Sequence, residues 1–213
     1  MKSHWTMFRW LIWREVLLAW RRKTDLISAL AFFAIIASLF PLGLDPDPRL
    51  LRPLGGGVLW VSALLATLLG FHRMFACDLA DGSLDHLLLT PQPLILTIIG
   101  KAAAQFLLIG VPLILMSPLL GFQYGMTSAE AWQLAVSLVF GVPILILLNA
   151  AGAALTLGMH GGGLLSALIV LPLSIPSLVF GAAGNISLVG AVLALTLAFA
   201  PWATAAALRV SLG

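Results

Sequence analysis

The sequence predicts an all-α integral membrane protein, a bundle of about six transmembrane helices preceded by an N-terminal amphipathic helix at the membrane surface. Three observations carry this. The 213 residues are 61% hydrophobic and 9% charged, against about 25% charged in an ordinary soluble domain, so polar surface is too scarce to cover a water-facing globule. The apolar residues fall in six runs close to the roughly 20 residues a helix needs to cross about 30 Å of hydrocarbon with its backbone self-satisfied. Lysine and arginine fall mostly on one side of the resulting topology, the bias that sets membrane orientation.

Residues 1–24 form the first unit. Arg9, Arg14, Glu15, Arg21, Arg22 and Lys23 alternate with Trp5, Trp10, Trp13 and Trp20. Tryptophan and basic side chains both favour the headgroup region, so residues 4–22 are expected to lie along the cytoplasmic surface. Arg9 and Arg14 are spread around the helical wheel, which leaves a protein-packed elbow helix as open as a lipid-floating one. No short apolar core followed by a small-residue cleavage site is present, so a removable signal peptide is not expected.

The second unit, 25–213, is the membrane domain. Its expected spans are Leu26–Leu44, Leu54–Phe71, Ala102–Leu120, Ala131–Leu157, Leu164–Gly181 and Leu188–Leu208. With the N-terminus in the cytoplasm, Lys2, Arg9, Arg14, Arg21, Arg22, Lys23, Arg73, Lys101 and Arg209 fall inside, and only Arg49 and Arg52 outside. Both termini are then cytoplasmic. Lys101, near the start of its span, is expected to snorkel to the cytoplasmic headgroups. The net charge of +3 follows from this topology and does not point to nucleic acid. Prolines 112, 118, 143, 172, 176 and 201 lie within spans. Each removes a backbone donor and crowds the preceding turn. Pro172 and Pro176, one turn apart, are read either as a hinge or as prolines whose neighbours re-satisfy the backbone. Gly55-Gly56-Gly57 and Gly152 are expected to let helices approach closely.

Several chemistries lack their residues. There is no Gly-x-x-x-x-Gly-Lys-Ser/Thr phosphate loop, no nucleophile elbow and no His-Glu-x-x-His. The lone Cys77 excludes an internal disulfide and a cysteine metal cluster. No carboxylate lies mid-span, which disfavours proton- or sodium-coupled transport. His4, His72, His86 and His160 all fall on the cytoplasmic side and are read as structural. The chain is therefore not expected to be an enzyme. Energy for any mechanical work has to arrive from another subunit.

The segment 72–93 is where it would arrive. It holds Arg73 and three of the eight acidic residues, Asp78, Asp81 and Asp85. Spacings of three and seven align the aspartates as one stripe on a helix, while Leu84, Leu87 and Leu88 face elsewhere. Gly82 lets the chain turn, Ser83 can cap, and Pro91-Gln-Pro93 ends the helix. A short polar helix tied to two spans transmits a push, and a solvated loop is the plain alternative. A calcium site is disfavoured, since one helix cannot wrap three carboxylates around an ion. On the opposite side Asp45, Asp47, Arg49 and Arg52 are the outward candidates for a periplasmic contact, again against a solvated loop.

The string Phe71-His-Arg73-Met-Phe-Ala-Cys-Asp78-Leu-Ala-Asp81-Gly82-Ser83-Leu-Asp85-His-Leu-Leu-Leu-Thr-Pro91-Gln-Pro93 resembles the signature of the heme exporter protein B (CcmB) family of bacterial cytochrome c maturation. Trp13-Arg14-Glu15, Leu39-Phe-Pro41, Val170-Leu-Pro172-Leu-Ser-Ile-Pro176 and Pro201-Trp-Ala-Thr-Ala-Ala-Ala-Leu-Arg209 are similar too. The resemblance implies an ABC-2-like permease subunit in the bacterial inner membrane, acting as a pair. It also implies docking of a separate ATPase, heme exporter protein A, at Arg73, Asp78, Asp81, Gly82, Ser83 and Asp85. Heme-handling membrane proteins C and D and the periplasmic heme chaperone E are the other implied partners. ATP is bound by the partner subunit, and heme is handled by the complex with none held tightly by this chain. Trp60, Trp132 and Trp202 stand apart and do not make the tryptophan-rich motif of protein C. ATP-driven release of loaded chaperone therefore fits better than a dedicated heme site. The family's basic pair before the glycines is absent, since His160 alone precedes Gly161-Gly-Gly163, which puts a second ATPase contact there in doubt. A related permease exporting a lipid or drug and a passive scaffold for heme-handling proteins are the rival readings.

Overall fold

A computed structural model of the protein describes Trp13 and residues 23–44, 47–71, 94–159 and 161–212. Among these residues all regular structure is helical: α1 (Lys23–Gly43), α2 (Pro48–Phe71), α3 (Leu94–Gln105), α4 (Val111–Gly121), α5 (Ser128–Leu155), α6 (Gly162–Ala182) and α7 (Ile186–Leu212). A π turn, Phe106–Gly110, joins α3 to α4 in one stack. Six segments are long and apolar enough to span: Leu26–Gly43, Pro48–Leu69, Leu94–Tyr124, Ser128–Leu155, Gly162–Ala182 and Ile186–Ser211. The surface helix expected over residues 4–22 lies outside the described residues, apart from the exposed Trp13.

The third span begins at Leu94, eight residues before the expected Ala102. Lys101 reads in the sequence as a boundary, but in the bundle it is 4% exposed and engages a partner. It does not snorkel to headgroups, and the helix runs through it because the bundle shelters the charge. The second span also starts early, at Pro48. Asp47 caps it, accepting the backbone N–H of Arg49 at 2.9 Å, and proline occupies the first helical position, where no intrahelical donor is needed.

Helix α5 is the central element and packs against α2, α4, α6 and α7, with lighter contact to α3. Three prolines show how the bundle absorbs the donors they remove. Pro112 cannot donate to Leu108, and the chain widens there into the π turn, with the Val111 N–H reaching back five residues to the Phe106 carbonyl. Pro118 cannot donate to Ile114; the Ser117 hydroxyl does so at 2.8 Å. Pro41 cannot donate to Ala37, and that carbonyl instead accepts the hydroxyl of Tyr124, the only tyrosine. Tyr124 reaches α1 because Gly55 of α2 leaves room: a Cβ at Gly55 would lie 2.9 Å from the Tyr124 Cβ.

Replacing Tyr124 by phenylalanine is expected to leave the Ala37 carbonyl buried without a donor. The cost should be about 1–2 kcal/mol, read as a lowered Tm of the purified protein. A Tm unchanged from the wild type would show that the bond contributes nothing.

Gly56 lets α2 approach α6 until a Cβ there would sit 3.0 Å from the Ala182 carbonyl oxygen. At Gly152 of α5 a Cβ would meet Val170 at 2.5 Å and the Ser166 hydroxyl at 2.7 Å. The close approaches expected of the glycines at 55, 56 and 152 are thus present, while a Cβ at Gly57 would meet nothing within 4 Å. Between α2, α5 and α6 sits Trp60, 0% exposed, its indole N–H donating to Ser137 at 3.0 Å. Its ring occupies a slot that exists only because positions 141 and 181 carry no side chain.

Candidate functional site

Helices α2, α5 and α7 run in one direction, and α1, the α3–α4 stack and α6 in the other, so the bundle has two chemically distinct ends. The end of α2 at Phe71 and the start of α3 at Leu94 lie at the same end. The segment 72–93 that joins them, with Arg73, Asp78, Asp81, Gly82, Ser83 and Asp85, lies outside the described residues. The buried Lys101 lies seven residues along α3 from Leu94, roughly two turns at 3.6 residues per turn.

The opposite end carries the other sequence-predicted set. Asp45 lies outside the described residues, Asp47 caps α2, and Arg49 is exposed. Arg52 is engaged within the chain: its Nη2 donates to Glu130 Oε1 at 2.8 Å and its Nε to Oε2 at 3.0 Å. This two-point geometry matches the planar guanidinium to the carboxylate. Glu130 is in turn fixed by its own helix start. Thr127 caps α5, its hydroxyl accepting the Glu130 N–H at 3.4 Å, while Glu130 Oε2 accepts the Thr127 N–H at 2.9 Å. Three residues after Glu130, the Gln133 amide donates to the Gly184 carbonyl in the α6–α7 turn at 3.3 Å. The rim is therefore a clasp joining α2, α5 and the α6–α7 turn; of the outward set Asp47, Arg49 and Arg52 are all exposed, Arg52 while paired with Glu130.

Helix α6 passes unbroken through Pro172 and Pro176. Both prolines face away from the bundle. The buried stripe on the opposite side is Gly162, Ser166, Val170, Ser174, Ser177 and Gly181. Ser174 and Ser177 donate to the Val170 and Ser174 carbonyls of their own helix, so their hydroxyls are spent locally and do not tie α6 to a neighbour.

A family model described as CcmB protein matches residues 6–211. This chain belongs to the CcmB protein family. It is 40% identical to heme exporter protein B of Haemophilus influenzae over 218 residues, covering 97% of this chain and 99% of that relative. Heme exporter protein B of Pseudomonas aeruginosa is 41% identical over 219 residues, with 97% and 98% covered. That of Escherichia coli K12 is also 41% identical, with 97% and 100% covered. The family resemblance read from the motifs therefore holds for nearly the whole chain.

Three structural side chains of this CcmB-family chain escaped the sequence reading. Glu130 was legible in principle: Thr127-x-x-Glu130 ahead of an apolar run is a capping-box signature. The indole of Trp60 and the hydroxyl of Tyr124 had no such local signal, because their partners, Ser137 and Ala37, lie 77 and 87 residues away.

Proposed function

We propose that this chain is the membrane permease subunit of an ABC-type complex for cytochrome c biogenesis, in the bacterial inner membrane with both termini cytoplasmic. Hydrolysis in a separate ATPase, heme exporter protein A, moves the segment 72–93. The bundle passes that movement to the periplasmic side, where it releases heme-loaded chaperone E from protein C. The observation that carries the reading is the near-complete match to relatives named heme exporter protein B. The chain supports it by what it spends its length on: six spans, no phosphate loop, and one acidic segment between two spans.

In this scheme Asp78, Asp81 and Asp85 face basic side chains of the ATPase, with Arg73, Gly82 and Ser83 shaping the helix that presents them. Pro172 and Pro176 let α6 bend, because their nitrogens cannot donate to the Leu168 and Pro172 carbonyls. Arg49, with Asp45 and Asp47, is the outward contact. A second copy of the chain completes the membrane half of the complex. Heme need not touch this subunit: all four histidines fall on the cytoplasmic side of the expected topology, whereas the family's heme transfer is periplasmic.

The test is genetic and biochemical. A strain lacking this chain should lose c-type cytochromes, and a hydrolysis-dead partner ATPase should lose them equally. Cytochromes that mature normally with the dead ATPase would overturn the force-transmitting role and leave a passive scaffold. Normal cytochromes in the deletion strain would overturn the biogenesis reading itself.

A further inference from the structure

The third span is one helical stack built in two parts. Among the described residues α3 packs against α5 and α7, and α4 packs against α5, α1 and α2. The buried series Thr97, Lys101, Ala104 and Leu108 continues beyond the junction as Leu113, Ser117 and Leu120. Its steps are three or four residues, as one face of an α-helix requires, except for a step of five from Leu108 to Leu113. That step crosses the π turn, which holds the extra residue. As ordinary α-helix the same stretch would put a different series in line with Leu113, namely Ile109, Gln105, Ala102 and Ile98. Everything before the turn would rotate by about 100°, the angle of one residue. Gln105, half-buried here, would take the place of Ala104.

Asn149 of α5 lies on the face that would meet it. Val142 of α5 packs on the π turn, its Cγ1 3.0 Å from where a Cβ at Gly110 would stand. Asn149 is seven residues further on, within about 20° of Val142 around the helix and about 10 Å along it. Since α5 runs opposite to the third span, Asn149 comes level with roughly residues 102–105. It is 1% exposed, and neither its amide nitrogen nor its amide oxygen has a hydrogen-bond partner. A primary amide with its donors and lone pairs unmet in an apolar interior opposes the arrangement that holds it so.

The α-helical alternative is opposed in its turn. Pro112 cannot donate to the Leu108 carbonyl, and its ring would crowd that carbonyl in a regular helix. The π turn relieves this, with the Val111 N–H donating to the Phe106 carbonyl. Each arrangement therefore leaves one group unmet: the Asn149 amide when the turn is wide, the Leu108 carbonyl when it is narrow.

We propose that the π turn is a rotary switch in the third span. In the arrangement described above the turn is wide and Asn149 lacks a partner. In the other the turn closes to α-helix, α3 rotates by one residue, and the Gln105 amide pairs with that of Asn149 across the α3–α5 contact. Side-chain amides that bond between helices are a stabilising device in hydrocarbon. The rotation changes the face that α3 presents to α5 and α7 while α4 keeps its place. The switch is a property of the bundle itself, so it stands or falls separately from the ATPase reading.

Disulfide trapping tests it in the full-length protein in lipid nanodiscs, in a Cys77→Ser background that keeps Gln105 and Asn149. Ala153→Cys, one turn beyond Asn149 on α5, is combined with either Thr97→Cys or Ile98→Cys, the two residues that the two arrangements bring to one position. Both disulfides should form. Pro112→Ala restores the donor to Leu108 and should raise the ratio of the Ile98 to the Thr97 disulfide by about threefold or more. Asn149→Leu, close in volume and without polar atoms, should lower that ratio by about the same factor. A ratio that Pro112→Ala leaves unchanged would overturn the switch. One that Asn149→Leu leaves unchanged would overturn the amide pair. If one variant does not accumulate the other decides alone, and absence of the Ile98 disulfide from the protein with Pro112 and Asn149 intact would overturn the proposal outright.

Discussion

Alanine at Gly141 or at Gly181 is expected to prevent accumulation of folded protein. A Cβ at Gly141 would lie 1.9 Å from the nearest Trp60 ring carbon, and one at Gly181 would lie 2.0 Å from another. Carbon atoms in contact sit near 3.5–4.0 Å, so the ring would have to move by more than an ångström. It cannot do so freely: it is fully buried, its N–H is held by Ser137, and the two glycines bracket it from α5 and α6. Overpacking of a filled interior costs about 1–3 kcal/mol, and more where nothing can yield. About 3 kcal/mol is expected for either substitution, enough to lower membrane-inserted yield severely. The clash also predicts its own rescue. Trp60→Leu in the Gly141→Ala background should recover part of the lost stability, because the two changes share one slot and do not add. Two independent, additive losses in Tm would show that the slot is not what couples them.

Reversing charge at Asp81 and Asp85 together is expected to abolish ATPase association and c-type cytochrome maturation while leaving the permease in the membrane at its normal level. Both aspartates are on the segment between α2 and α3. An acidic stripe replaced by basic side chains turns attraction to a basic partner surface into repulsion, and like charges across an interface suppress association strongly. Co-purification of the ATPase with tagged permease measures this directly. Undiminished co-purification of the doubly reversed variant would remove the docking role from these residues. Reversal of Arg52 offers a contrast: it breaks the pair with Glu130, and Glu130→Arg in that background should restore the ion pair but not the Thr127 capping box, which needs the carboxylate as acceptor.

The sequence and the structure agree most where physics is local. Six apolar runs become six spans because nothing but a helix can satisfy a backbone in hydrocarbon, and each expected run lies on one of the six. Boundaries slipped where a charge is sheltered or capped: Lys101 is buried and Arg52 is paired, so neither marks the end of a helix as its charge suggests. Long-range pairing was not legible. Pro41 announces an orphaned carbonyl at Ala37, yet nothing near it in the chain says that Tyr124 will fill it. Asn149 reads as one polar residue in an apolar run, and only its packed surroundings reveal an amide without partners. The acidic segment was the reverse case. Its composition is distinctive in the sequence, and its role rests on chemistry and kinship, with Arg73 to Asp85 outside the described residues.

The central claim is that this segment meets a nucleotide-driven partner on the cytoplasmic face, and labelling can test it. Cysteine placed at Ser83 in a Cys77→Ser background should react with a membrane-impermeant thiol reagent in inverted vesicles and not in intact spheroplasts, and bound ATPase should shield it. Labelling from the periplasmic side, with no shielding by the ATPase, would contradict the account.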